Sequence, residues 1–171
     1  MLPQAINDAL NDQLQYELAS AYHYLAMAAY FEAATLPGFA HWMRVQSQEE
    51  QQHALKFFAF IHQRGGRVTL QGIEQPPSDY TSPLDAFEKA LEHERSVTAR
   101  IHNLFELAQQ ERDYPTQTFL QWFIAEQAEE EDTARGIVDQ LRLAGNSGAA
   151  LLFLDRQLAA RQLSGSGTAG G

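Results

Sequence analysis

A chain of 171 residues, 44% hydrophobic, with 12 basic and 22 acidic residues and a formal charge of -10, can bury one substantial core. It has no cysteine, which excludes disulfides, thiolate nucleophiles, iron-sulfur clusters and thiolate-bound zinc, so any metal must be held by oxygen and imidazole. The negative balance repels phosphate backbones, and no stretch reaches the roughly 18 apolar residues of a spanning helix or resembles a signal peptide; no nucleic acid, no membrane and a cytoplasmic location are expected.

From Gln4 to about Ala34 the sequence lacks Gly and Pro and is rich in Ala, Leu, Gln and Glu, which predicts one unbroken helix stopped by Leu36-Pro37-Gly38. A second helix is predicted from about Phe39 to Arg64, where Trp42, Gln46, Glu50, His53, Phe57 and Phe60 recur at spacings of three and four before Gly65-Gly66. Arg67-Val68-Thr69-Leu70 reads as a short extended segment, and Pro76-Pro77 and Ser82-Pro83 mark a loop. The third helix runs from about Pro83 to Glu111, with Ser82 as its cap and Leu84, Phe87, Leu91, Glu94, Ile101 and Phe105 on one face. After the corner Asp113-Tyr114-Pro115, a fourth helix from Pro115 to Ala144 carries Phe119, Phe123, Gln127, Glu130, Ala134 and Leu141, with Gly145 as terminator. A short fifth helix is expected over Ala149 to Gln162. One domain, residues 1–163, is followed by a flexible Gly/Ser-rich tail, 164–171.

Connection lengths set the topology of this all-α chain. Two tight corners make the first and second helices antiparallel neighbours, and likewise the third and fourth. The middle connection, residues 66–82, extends to about 60 Å, enough to run the length of helices about 40 Å long and start the third helix at the opposite end. The fold class is an antiparallel four-helix bundle with a long crossover between the second and third helices and a short C-terminal fifth.

Each apolar stripe is interrupted near its midpoint: Glu17 on the first helix, Glu50 and His53 on the second, Glu94 on the third, Gln127 and Glu130 on the fourth. Midpoints of neighbouring helices of similar length share one level, so these groups converge in a single buried layer. A lone Glu on an apolar stripe ordinarily keeps its head in water. Several acids at one depth would each cost several kcal/mol without a cation. Glu50-x-x-His53 places both side chains on one face, within reach of one ion. Di-iron bundles take a Glu from each of two helices and Glu-x-x-His from each of the other two. Here the fourth-helix motif reads Gln127-x-x-Glu130, so the site is asymmetric. Glu17, Glu50 and His53 are assigned to one metal and Glu94 and Glu130 to the other, with Glu50 and Glu130 the candidate bridges. Gln127 is a weak ligand or an amide donor to the ligands. Oxygen-dominated coordination with one imidazole suits iron or manganese.

The pattern over residues 4–162 resembles the ferritin superfamily, specifically the bacterial non-haem ferritins. The carriers are Tyr16-Glu17-Leu18, Tyr24, Glu49-Glu50-Gln51-Gln52-His53, Glu94, Trp122 and Glu126-Gln127-x-Glu129-Glu130. The resemblance implies a ferritin-like fold and a ferroxidase centre of Glu17, Glu50, His53, Glu94, Gln127 and Glu130, where Fe(II) is oxidised by O2 or H2O2 before a ferric mineral is deposited in a hollow homo-oligomeric shell of twenty-four subunits. It further implies a third iron site at Glu49, Glu126 and Glu129, a redox role for Tyr24 beside the centre, and an aromatic neighbour in Trp122. An ordinary solvated acidic face would also explain the three glutamates, and core packing the two aromatics. Bacterioferritins have Glu-x-x-His on the fourth helix and a haem-ligating Met after the first motif's Glu. This chain has Gln127-x-x-Glu130 and Gln51, so no haem is expected. Leu151-Leu152-Phe153-Leu154 is too apolar to face water and points to subunit contacts. Two other functions fit the same residues: a di-iron oxidase or peroxidase of rubrerythrin type, here without a four-cysteine electron-transfer module, and a non-catalytic helical assembly protein.

Overall fold

A computed structural model describes residues 2–164. The expected tail, from residue 165 onward, lies outside the described residues. Five helices follow in order: α1 (Gln4–Ala33), α2 (Pro37–Gln63), α3 (Pro83–Gln110), α4 (Tyr114–Ala144) and α5 (Gly148–Leu158). Among the described residues there is no strand. α1 packs along α2 and α3 along α4, while α5 sits against α2 and α4.

Helix ends follow local chemistry. At α3, Ser82 Oγ accepts from the Asp85 amide at 3.0 Å and Asp85 accepts back from the Thr81 amide at 2.9 Å, a reciprocal cap. At the end of α1, Leu36 N–H bonds the Phe31 carbonyl and Thr35 N–H that of Glu32, which forces Thr35 to a φ of 58°. Gly65 occupies the same position after α2 at 70°, without the steric penalty.

Two boundaries differ from the sequence expectation. α1 ends before Leu36-Pro37-Gly38 as expected, but the next helix starts within that tripeptide rather than at Phe39. Pro37 takes the first position of α2, where its missing N–H is not needed. Gly38 is required by a close approach: a Cβ there would lie 1.7 Å from the Asp155 carbonyl oxygen of α5. α5 ends at Leu158 rather than Gln162, because residues 159–164 turn back over α2, where His41 Nε2 pairs with the Arg161 carbonyl at 2.7 Å.

The crossover spans the bundle as its length requires. Its start is held to the beginning of α1 by side chains one turn apart. Asn7 accepts from the Arg67 amide at 3.1 Å. Asn11 donates to the Arg67 carbonyl at 2.9 Å and accepts from the Thr69 amide at 2.7 Å. These bonds occupy the backbone of the expected extended segment, which has no strand partner. Its far end places Tyr80 against Tyr30, near the other end of α1. Hence α1 and α4 run one way and α2 and α3 the other.

The hydrophobic interior is divided in two. One cluster gathers Met27, Phe31, Phe39, Trp42, Phe87 and Val138. The other gathers Ile6, Leu10, Phe57, Ile101, Leu120 and Phe123. Between them lies a layer of buried acids and amides.

Candidate metal centre

That layer is built from all four long helices. Glu17 is 0% exposed, Glu50 and Glu94 1%, Gln127 2%, His53 4% and Glu130 9%. Potential ligand atoms of Glu17, Glu50 and His53 lie within 4.8 Å of one another, and those of Glu50, Glu94 and Glu130 form a second such group. Glu50 belongs to both. Four atoms of this layer are buried without a hydrogen-bond partner: Glu17 Oε2, Glu50 Oε2, His53 Nδ1 and Glu130 Oε2. Unsatisfied buried polar atoms are rare in folded proteins, and several in one place signal a missing ligand or ion. His53 Nδ1 is 3.6 Å from Glu50 Oε2 and 4.0 Å from Glu17 Oε2.

The second oxygen of each carboxylate is engaged. Gln13 donates to Glu17 Oε1 at 2.8 Å, and Gln46 donates both to Glu50 Oε1 at 2.9 Å and to Glu130 Oε1 at 3.1 Å. Glu94 accepts from the Tyr24 hydroxyl and, at 3.1 Å, from the Gln127 amide. Gln127 thus stands as an amide donor to a candidate ligand. The pattern aims one free oxygen of Glu17, Glu50 and Glu130 inward while an amide fixes the other. Neither Gln13 nor Gln46 is expected as part of the site from sequence, although both precede a site Glu by four residues, the spacing that puts side chains on one helical face.

Burial pushes the Glu17, Glu50, Glu94 and Glu130 carboxyls up, and their mutual repulsion adds to this at Glu17, Glu50 and Glu130. Glu50 reaches about 8. The Tyr24 phenol is likewise held well above its ordinary range by burial and then by Glu94. Clustered carboxyls that resist ionisation are the electrostatic counterpart of a divalent-cation site: a bound cation supplies the charge that solvent no longer can.

Glu49, Glu126 and Glu129 line a common cavity of about 80 Å³ beside the centre, together with Tyr24, Glu130 and Arg161. Their ligand atoms do not form a group of their own. Glu126 instead groups with His53 and Glu130, and Glu49 is ion-paired at 2.6 Å with Arg161. Trp122 is 41% exposed and meets the His53 ring edge-on, centroids 5.3 Å apart. Arg161 is the third unexpected participant, and nothing in its local sequence marks it.

The chain matches the ferritin family, described as a ferritin-like domain, over residues 7–144. It is 42% identical to a bacterial non-heme ferritin of Bacteroides fragilis over 161 residues, which cover 94% of this chain and 100% of that protein. A bacterial non-heme ferritin of Staphylococcus aureus is 37% identical, with 94% and 97% covered. Among solved structures, an open pore ferritin from the hyperthermophilic archaeon Archaeoglobus fulgidus superposes with a TM-score of 0.94 at 54% identity, covering 95% of this chain and 99% of that one. A closed form of that ferritin, engineered by site-directed mutagenesis, gives 0.95 at 54% identity, with 96% and 100% covered. With a matching four-helix frame, a carboxylate-lined waist and these relatives over nearly its whole length, the chain belongs to the ferritin family.

Proposed function

We propose that this protein is a ferroxidase and iron store, taking Fe(II) as substrate at the waist of its bundle and passing ferric product to an enclosed mineral. The observation that carries this reading is the grouping of Glu17, Glu50 and His53, and of Glu50, Glu94 and Glu130, within reach of an ion, with Glu17 Oε2, Glu50 Oε2, His53 Nδ1 and Glu130 Oε2 buried and without hydrogen-bond partners. Their chemistry, acid oxygens with a single imidazole, fits ferrous iron. Glu17, Glu50 and His53 would hold one ion, and Glu50, Glu94 and Glu130 the other, so Glu50 is the bridge. Two ferrous ions supply two electrons, and oxygen takes these with two protons to leave as hydrogen peroxide.

The chain's own part is placement. Gln13 and Gln46 fix which oxygen of each carboxylate faces inward, and Tyr24 and Gln127 hold Glu94. Tyr24, bonded to the candidate ligand Glu94, is the candidate for a redox role beside the centre. Glu49, Glu126 and Glu129 line the cavity beside the centre and are the candidates for a third iron position. Gln51 and the absence of a second Glu-x-x-His support a centre without haem.

Apolar surface supports assembly into a hollow homo-oligomeric shell, with twenty-four subunits as the expected number. Leu143 is 89% exposed, Phe153 71% and Leu152 54% in the single chain, and Leu143 and Phe153 line one apolar surface groove of the kind that subunit contacts cover. Among the described residues no helix is long and apolar enough to cross a membrane, and a cytoplasmic site of action belongs to the same reading.

The test is aerobic addition of Fe(II) to metal-free protein, followed by ferric absorbance. Rapid oxidation that disappears in Glu50→Ala and His53→Ala, with assembly intact, is expected. Equal rates in both variants and the parent would overturn the proposal.

A further inference from the structure

We infer that Arg161, on the segment following α5, is a positioning residue for Glu50 and Glu130 and the built-in counter-ion of Glu49, so that it sets whether the centre holds two ions or a third at Glu49. The inference rests on the metal-centre reading above.

One nitrogen carries the argument. Arg161 Nη2 donates to Gln46 Oε1 at 2.7 Å and to Glu49 Oε2 at 2.6 Å, while Nη1 donates to the Trp42 carbonyl at 3.3 Å and the guanidinium lies over the Trp42 ring, 4.2 Å from its centroid. A guanidinium has donors only. The Gln46 atom facing it must therefore be the amide oxygen, which turns the amide NH2 toward Glu50 and Glu130. Arg161 thereby reinforces the orientation that the two carboxylates select, since a flipped amide would turn its NH2 to the guanidinium and its oxygen to Glu50 and Glu130. Gln46 and Glu50 are a local pair four residues apart. The group that orients the pair comes from 115 positions further along the chain.

Glu49 is held at both ends. Arg161 takes Oε2, and the Ser164 amide donates to Oε1 at 3.0 Å. Each oxygen thus already has a partner at the edge of the cavity. Among the residues lining that cavity, Glu49, Glu94, Glu126, Glu129 and Glu130 are acidic and Arg161 is the one cation. It occupies the place of a metal ion in charge while lacking any acceptor with which to bind one.

Segment 159–164 reaches this position because α5 is docked on α2. Asp155 accepts from the Phe39 amide at 3.0 Å, Gly38 admits the Asp155 backbone, and His41 pairs with the Arg161 carbonyl. The docking points 38, 41, 42, 46 and 49 fall on one stripe of α2.

The test is a Co(II) titration of assembled, metal-free protein, read by visible absorption and by bound metal per subunit. Arg161→Met keeps the bulk over Trp42 but removes the donors. It should weaken the first two equivalents by about 10-fold, the scale on which partners of metal ligands act, and tighten a third by a similar factor. Gln46→Ala should weaken the first two and leave the third weak. The double variant should be no weaker at the first two than Gln46→Ala alone. Arg161→Lys, which restores a cationic donor, should return the wild-type order. Opposite movements of the first two and the third equivalents are not what simple loosening of the fold produces. Three weakened equivalents in Arg161→Met, unchanged ones, or additive losses in the double variant would overturn the inference. A parent protein that bound no cobalt at the waist would remove the metal centre itself, a separate and recognisable failure.

Discussion

His53 Nδ1 and Glu50 Oε2 stand 3.6 Å apart, both buried and neither hydrogen-bonded, one turn apart on α2. The gap is too long for a hydrogen bond and fits two ligands sharing an ion.

Because Glu50 belongs to both ligand groups and Glu17 and Glu94 to one each, their removal should differ in kind. Glu17→Ala and Glu94→Ala are expected each to retain one tightly bound Zn(II) per subunit, and Glu50→Ala to retain neither. Ferrous oxidation in Glu50→Ala should fall beyond the roughly 100-fold that loss of a ligand's partner costs. Calorimetry with Zn(II) counts the sites, and two retained in Glu50→Ala would contradict the bridge.

The raised Glu50 carboxyl gives the metal-free protein an unusual pH profile. Its ordinary value of 4.5 is pushed up to about 8 by burial and then by Glu94, so the folded state holds a proton that the unfolded chain releases between those values. Stabilisation is full below 4.5 and is lost as pH rises through about 8. The metal-free melting temperature should therefore fall from pH 5 to pH 8, and metal loading at pH 7 should release protons. A melting temperature that rose over this range would contradict the burial of unpaired acids.

Tyr24→Phe removes the hydroxyl that donates to Glu94 but leaves the Gln127 donor in place. Affinity at the Glu94 position should drop by about 10-fold, with the Glu17 position unaffected. Site-resolved Co(II) spectra separate the two, and equal weakening at both would show that Tyr24 acts through packing alone.

Gly38→Ala places a Cβ 1.7 Å from the Asp155 carbonyl oxygen, a backbone atom that cannot turn aside. α5 must lift, at a cost of about 1–3 kcal/mol or more. Amide exchange of residues 150–158 should accelerate while that of α1 stays slow. Unchanged protection in α5 would show that the docking is softer than its geometry.

Most of the fold and the six residues of the waist were legible in the sequence because one rule governs both. A helix that must bury a stripe shows its period, and a Glu or His set within the stripe stands out against Leu, Phe and Ala. The crossover was legible from length. Leu36-Pro37-Gly38 was legible as the end of α1 but not as the start of α2, because Pro and Gly break helices in isolation, whereas here they also begin one and admit a neighbour. Gln13 and Gln46 carried a signal in their spacing from Glu17 and Glu50, but glutamines are common on helix surfaces. Arg161 carried none, since its partners are set by how α5 docks, a contact between segments more than a hundred residues apart. Glu49 was legible as an acid near the centre, but not its engagement by that arginine.

Phe31, Phe39 and Phe87 share one apolar nucleus, and Phe57, Leu120 and Phe123 another, with the acids between. The two nuclei share no apolar contact and meet only through the polar layer, Tyr24 bonding Glu94 from one side and His53 packing on Phe123 from the other, so the effects of substitutions at opposite ends should nearly sum. Each end of the molecule is thus free to drift on its own, provided both keep register with the rung of carboxylates that joins them.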